Sequence, residues 1–144
     1  MHSPEINASN RDRAGRRVGM NATLNLTEVM SFWKAFFRAL DIHIYTSERY
    51  RDSLKTGKKI AGAEFCAPID AMYGHVAHIA ETCDYVFMPT YLESRTSPGN
   101  QTQNFCYYTQ FSASLAYQEG PHMREKLISP MLNFSKSKWR HEKS

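Results

Sequence analysis

Two cysteine-centred segments carry the residue types most suited to chemistry: Ala63-Glu64-Phe65-Cys66-Ala67-Pro68 and Asn104-Phe105-Cys106-Tyr107-Tyr108-Thr109-Gln110-Phe111. They flank an apolar run, Asp84-Tyr85-Val86-Phe87-Met88-Pro89. A thiolate is a soft ligand, and two of them at the same end of an α/β sheet suit iron–sulfur or zinc chemistry. Two do not complete a site. Structural zinc takes four ligands, cubane clusters take three or four cysteines, and no C-x-x-C pair occurs here. Missing ligands would come from another segment, another chain, substrate or water. Cys83 comes just before the apolar run, so it is expected at the opposite sheet edge as a small buried hydrophobe. Tyr107, Tyr108 and Phe111 beside Cys106 would shield a cluster from water, or equally form a hydrophobic seam.

The elements that must position these thiols follow from periodicity. Val18-Gly19-Met20 reads as a short buried strand. Thr27 is expected as an N-cap, after which Val29, Phe32, Trp33, Phe36, Phe37 and Leu40 recur at helical spacing as a core-packing face. Ile42, Ile44 and Tyr45 form a second strand, followed by a helix over Glu48 to Lys55 that Gly57 ends. A third strand is expected over Ile60 to Phe65, delivering Cys66 to the carboxyl edge of the sheet. Pro68 then opens a helix carrying Ile69, Met72, Tyr73, Val76, Ile79 and Ala80. On it, His75 and His78 stand at i, i+3 and are expected to pack or hydrogen-bond, and Gly74 permits close approach of a neighbouring backbone. His43 is expected at a surface. Asp84 to Met88 is the fourth strand.

The alternation implies an α/β fold with a doubly wound, mainly parallel sheet of about four to five strands and flanking helices. Ligands in such folds bind beyond the carboxyl ends of the strands. The polar stretch Thr90 to Gln103 reads as a long loop leaving that edge, a lid or partner surface. A short helix over Phe111 to Tyr117, a break at Gly120-Pro121, another helix over Met123 to Leu127 and a short edge strand within Ile128 to Phe134 complete the reading. Residues 1–16 are expected to be a disordered leader, residues 17–134 a single domain, and residues 135–144 a polar tail.

Composition narrows the function classes. With 144 residues, 42% hydrophobic, the chain has material for one core. Its net charge of +4 sits largely in Arg11, Arg13, Arg16, Arg17, Lys136, Lys138, Arg140 and Lys143, near the ends, and reads as solvated rather than as a nucleic-acid surface. No apolar run is long enough to span a membrane and no signal core opens the chain, so a cytoplasmic location is expected. Asn21-Ala-Thr and Asn25-Leu-Thr are then chance glycosylation triplets. Three widely spaced cysteines do not make a disulfide framework. No phosphate loop, no G-x-G-x-x-G and no G-x-S-x-G elbow is present.

Taken in order, Val18-Gly19-Met20 with Phe32-Trp33-Lys34-Ala35-Phe36-Phe37, Phe65-Cys66-Ala67-Pro68-Ile69 leading to Gly74-His75-Val76, Asp84 to Pro89, and Phe105 to Phe111 resemble the 2-hydroxyacyl-CoA dehydratase and CoA-enzyme activase-related proteins, the large activase-related members above all. The likeness spans about Arg17 to Phe134. It implies a [4Fe-4S]-type redox module for low-potential electron transfer, driven by ATP hydrolysis in a partner domain, with Cys66 and Cys106 as the carried-over cluster ligands. Related proteins add further cysteines and α/β domains, so the chain is expected to be one lobe. Its partners would be other lobes or subunits, an ATPase domain among them, or a second copy through self-association. Two further readings stay open: a non-catalytic interaction lobe that binds no cluster alone, and a zinc-stapled domain.

Overall fold

The fold is described by a computed structural model over residues 15–92 and 105–132. The expected tail, residues 93–103 of the expected loop, and all but the last two residues of the expected leader lie outside the described residues. A four-stranded parallel sheet has the order β2-β1-β3-β5, with β1 at Val18–Met20, β2 at Tyr45–Thr46, β3 at Tyr85–Phe87 and β5 at Leu127–Ile128. A second parallel pair, β4 (Thr90–Tyr91) and β6 (Met131–Leu132), prolongs β3 and β5 past Pro89 and Pro130. Proline lacks the N–H a ladder needs, so the two prolines interrupt the sheet at the same level. The doubly wound α/β reading holds.

Parallel pairing places partners on the same face of a sheet. Gly19, Val86 and Leu127 therefore share one face, and Met20, Phe87 and Ile128 share the other. The first face lies under α3 (Ala67–Thr82): a Cβ on Gly19 would stand 2.9 Å from the Cys83 sulfur, so only glycine lets the helix settle this closely. Beside it lies α2 (Ser53–Ile60). The second face is covered by α1 (Leu26–Ala39), through edge contacts of Trp33 and Phe37 with Phe87 at 4.7 and 4.9 Å between ring centroids. The Trp33 indole N–H also donates to the buried Tyr91 hydroxyl at 2.7 Å.

Five expectations need correction. There is no strand over Ile60 to Phe65; α2 runs through Ile60 and residues 61–66 form an irregular connection. Gly57 does not end that helix but lies inside it, packed on the backbone of α3 beside Asp70, while Gly74 of α3 packs on the backbone at Ser53. The helix expected over Glu48 to Lys55 is a single 3₁₀ turn, Ser47–Arg49, followed by the start of α2. In α1, Trp33 and Phe37 are buried with Leu26 and Met30, but Phe32, Phe36 and Leu40 are exposed. Its N-cap is Asn25; the Thr27 hydroxyl donates to the Leu24 carbonyl instead.

Candidate functional site

Cys66 reaches the carboxyl edge of the sheet by a route other than the one expected. It is the extended N-cap of α3, a helix that runs back across the sheet to Cys83 and feeds β3. Pro68 stands in its first turn, where the absent N–H leaves no hydrogen bond unmade. Cys106 is likewise an extended N-cap, of α4 (Tyr107–Gln110), which bends at Phe111 into α5 (Ser112–Tyr117). The two cysteine segments meet through their aromatic neighbours: the rings of Phe65 and Tyr108 pack edge to face with centroids 5.6 Å apart. Phe65 leans on Tyr73 of α3 as well, at 5.7 Å.

All three cysteines are free; Cys66 and Cys106 are exposed and Cys83 is buried. Cys83 caps the far end of the 16-residue α3. At the helical rise it is on the order of 24 Å from Cys66, too far to share a ligand. Burial pushes the Cys83 thiol up to about 11, which keeps it a neutral packing group. Cys106 moves the opposite way. Its sulfur lies 3.2 Å from the Thr109 hydroxyl, and hydrogen bonds from that side chain and from the Thr109 and Tyr108 amides hold the thiol below its ordinary value. Thr109 and Phe65 were not singled out by sequence reasoning; a Thr three residues after an N-cap was the available signal for the first.

The histidines take structural roles, as expected. His75 Nδ1 is 2.8 Å from the hydroxyl of the wholly buried Ser47, which also accepts the Ala22 amide at 3.0 Å. This ties β1, the turn after β2 and α3 together at the carboxyl edge. His78 Nε2 meets the Tyr45 hydroxyl at 2.8 Å and its ring stacks on Tyr50 at 4.2 Å. His43 is exposed. Asn21, at the end of β1, is fully buried; its amide donates to Thr23 and its Oδ1 is unpaired among the described residues.

The aromatic residues around Cys106 face solvent. Tyr107 is 79% exposed and Phe111 51%, with their rings parallel at 6.4 Å. Phe111 also borders an open cleft of about 360 Å³ between α5 and the β4–β6 pair, walled by Tyr117, Leu127 and Met131. The donor set at this edge is thus two outward soft thiols within an apolar surround. No third His, Cys, Asp or Glu joins them as a metal-binding group among the described residues. On their own, two thiols are fewer donors than a structural metal centre takes. No helix of the described residues is long and apolar enough to cross a membrane.

Among known families, the model of the CoA enzyme activase uncharacterised domain aligns with residues 17–144. Curated proteins and solved structures gave no match.

Proposed function

Because the chain belongs to the family of the CoA enzyme activase uncharacterised domain, we propose that it is an accessory lobe of an activase-type system that lends Cys66 and Cys106 to a [4Fe-4S] cluster. The remaining ligands come from another lobe or subunit, in a reducing cytoplasm where free thiols persist. When bound, the cluster supplies one-electron transfer at low potential. The chain's own residues do the rest. Thr109 and the α4 amides favour the Cys106 thiolate, Phe65 and Tyr108 hold the two cysteine segments together, and Tyr107 and Phe111 exclude water once covered.

The observation that supports this reading is the Phe65–Tyr108 contact, which brings the two segments bearing the exposed cysteines together, while the third cysteine is buried at the far end of the 16-residue α3. A second reading has its own support: Tyr107, Tyr108 and Phe111 are more exposed than apolar groups of a finished surface, so this edge serves as a docking face even without a cluster. Anaerobic reconstitution with iron and sulfide separates the two. The cluster reading expects substoichiometric iron in the isolated chain, lost in Cys66→Ser and in Cys106→Ser and retained in Cys83→Ala. Retention in both serine variants refutes it. Absence of iron in the unmodified chain, with self-association relieved by Phe111→Ser, favours the docking reading.

A further inference from the structure

Charge is unevenly divided along the fold. Residues 33–60 carry seven Lys and Arg against three Asp and Glu, whereas residues 61–92 carry four carboxylates and no Lys or Arg. The first stretch holds the second half of α1, the edge strand β2 and α2, so this margin of the sheet is cationic. It is remote from the cleft beside α5, which borders β4–β6 at the other margin.

One concavity on the cationic side brings several donors together. It measures about 100 Å³ and is walled by Lys34, Arg38, Ile42, His43 and Ile44. A tight reversal builds it. Beyond the Leu40 cap of α1, Asp41 takes a left-handed φ of 61°, and the Ile42 amide donates back to the Phe37 carbonyl at 2.8 Å. Residues 42–44 are thereby brought against the last turns of α1, with His43 beside Lys34 and Arg38.

Lys34 is held by Glu48 at 2.7 Å, and Arg49 also bears on that carboxylate. Arg38 is exposed, and its guanidinium has no acceptor among the described residues. His43 is exposed and offers a ring N–H in either protonation state. Against Lys34, Arg38 and Arg49, the carboxylates of Asp41 and Glu48 leave an excess of positive charge even with His43 neutral. Arg38 in the last turn suits the helix dipole, which explains its sign but not why Lys34 and His43 line the same space. At i, i+4, Lys34 and Arg38 repel one another unless an anion lies between them.

We propose that this cleft binds a phosphate-type oxyanion, free or as a terminal phosphate monoester. Arg38 supplies the forked donor, Lys34 a point charge and His43 a third N–H. At about 30 Å³ per water, the cleft has room for about three waters, enough for one tetrahedral oxyanion and too little for a nucleoside. Ile42 and Ile44 give it apolar walls, which strengthen each charge contact relative to open water. The cationic margin around it, Lys55, Lys58 and Lys59 of α2 included, raises the local concentration of anions.

Titration of the full 144-residue chain with inorganic phosphate at constant ionic strength, followed by heteronuclear NMR, tests this. Saturable shifts are expected at the amides of Arg38 and Ile42 to Ile44 and at the His43 ring. Arg38→Gln should weaken binding at least ~10-fold, and Arg38→Lys less, since lysine keeps the charge and loses the fork. Arg124→Gln, on α6 (Pro121–Lys126) with its guanidinium over the Tyr117 ring, should leave binding unchanged. Methyl phosphate in a parallel titration identifies the source: tighter binding than inorganic phosphate assigns a monoester, equal or weaker binding the free ion. Shifts that never saturate, or unaltered affinity in Arg38→Gln, overturn the proposal. So does an equal loss in Lys58→Gln/Lys59→Gln, which would reduce the effect to non-specific screening.

Discussion

Replacing Gly57 by alanine sets two effects of opposite sign against each other. Within a helix the change is favourable by about 1 kcal/mol, since alanine loses less backbone entropy than glycine. Gly57, however, lies where α2 meets α3 backbone to backbone. A Cβ there would overlap the Asp70 carbonyl, with its carbon at 2.5 Å and the Gly74 nitrogen at 3.1 Å. Carbon–carbon contacts settle near 3.5–4.0 Å, so the helices must part by roughly 1 Å, forfeiting a quarter to a half of the dispersion well for every atom pair across the seam. Such overpacking costs about 3 kcal/mol or more where backbone rather than a flexible side chain must give way. The net expectation is a loss of about 2 kcal/mol, a fall of several degrees in Tm for a domain of this size. Urea denaturation of Gly57→Ala beside Gly62→Ala provides the comparison. At Gly62 no atom lies within 4 Å of the added carbon, and stability should change by less than ~0.5 kcal/mol. A Gly57→Ala protein as stable as the parent would show that helix propensity governs and that the close α2–α3 seam is not real.

Tyr91→Phe removes the acceptor of the buried Trp33 N–H, leaving an unpaired donor; a loss of about 1–3 kcal/mol is expected by denaturant titration, against near-neutrality if water reaches the indole. Burial holds His75 and His78 below their ordinary value of 6.5, and for His75 the neighbouring His78 adds to the effect. The unfolded chain then takes up protons first, so stability should fall as pH drops below 6.5, with a shallower slope in His75→Asn; a flat profile in the parent protein contradicts the neutral network. Cys83 is displaced upward from 9.0 to about 11, so its contribution is intact below pH 9 and lost as pH rises toward 11. That loss amounts to about 2–3 kcal/mol. It should be missing from the alkaline unfolding curve of Cys83→Ala.

The elements with one dominant signal were legible in the sequence. Val18–Met20, Tyr85–Phe87 and the helix opened by Pro68 stand within a residue or two of where β-propensity, period and proline placement put them. Reading failed where one residue type serves two ends. Gly57 looks like a helix terminator, but here it is a contact surface, a distinction that depends on a partner helix ten and more residues away. Misplacing it made Ile60 to Phe65 look like a strand, although Ile60 is its single β-branched residue. The α1 stripe failed for a related reason. Its apolar residues reach further round the helix than one sheet face covers, and periodicity does not say which of them meet the core. At the candidate site, the residue types and the separation of Cys83 from Cys66 were readable, while the Phe65–Tyr108 contact between the two cysteine segments is tertiary and left no mark in spacing.

The central claim is that Cys66 and Cys106 act as a pair of soft donors at one edge of the sheet. Titration with a trivalent organoarsenical, which is held stably only when two thiols close on one arsenic, tests this without requiring a cluster. One equivalent should bind per monomer, block alkylation of Cys66 and Cys106 together, and leave Cys83 to react only on unfolding. Blocking of a single exposed cysteine, or an arsenic bridge between two chains in place of one within a chain, would contradict it.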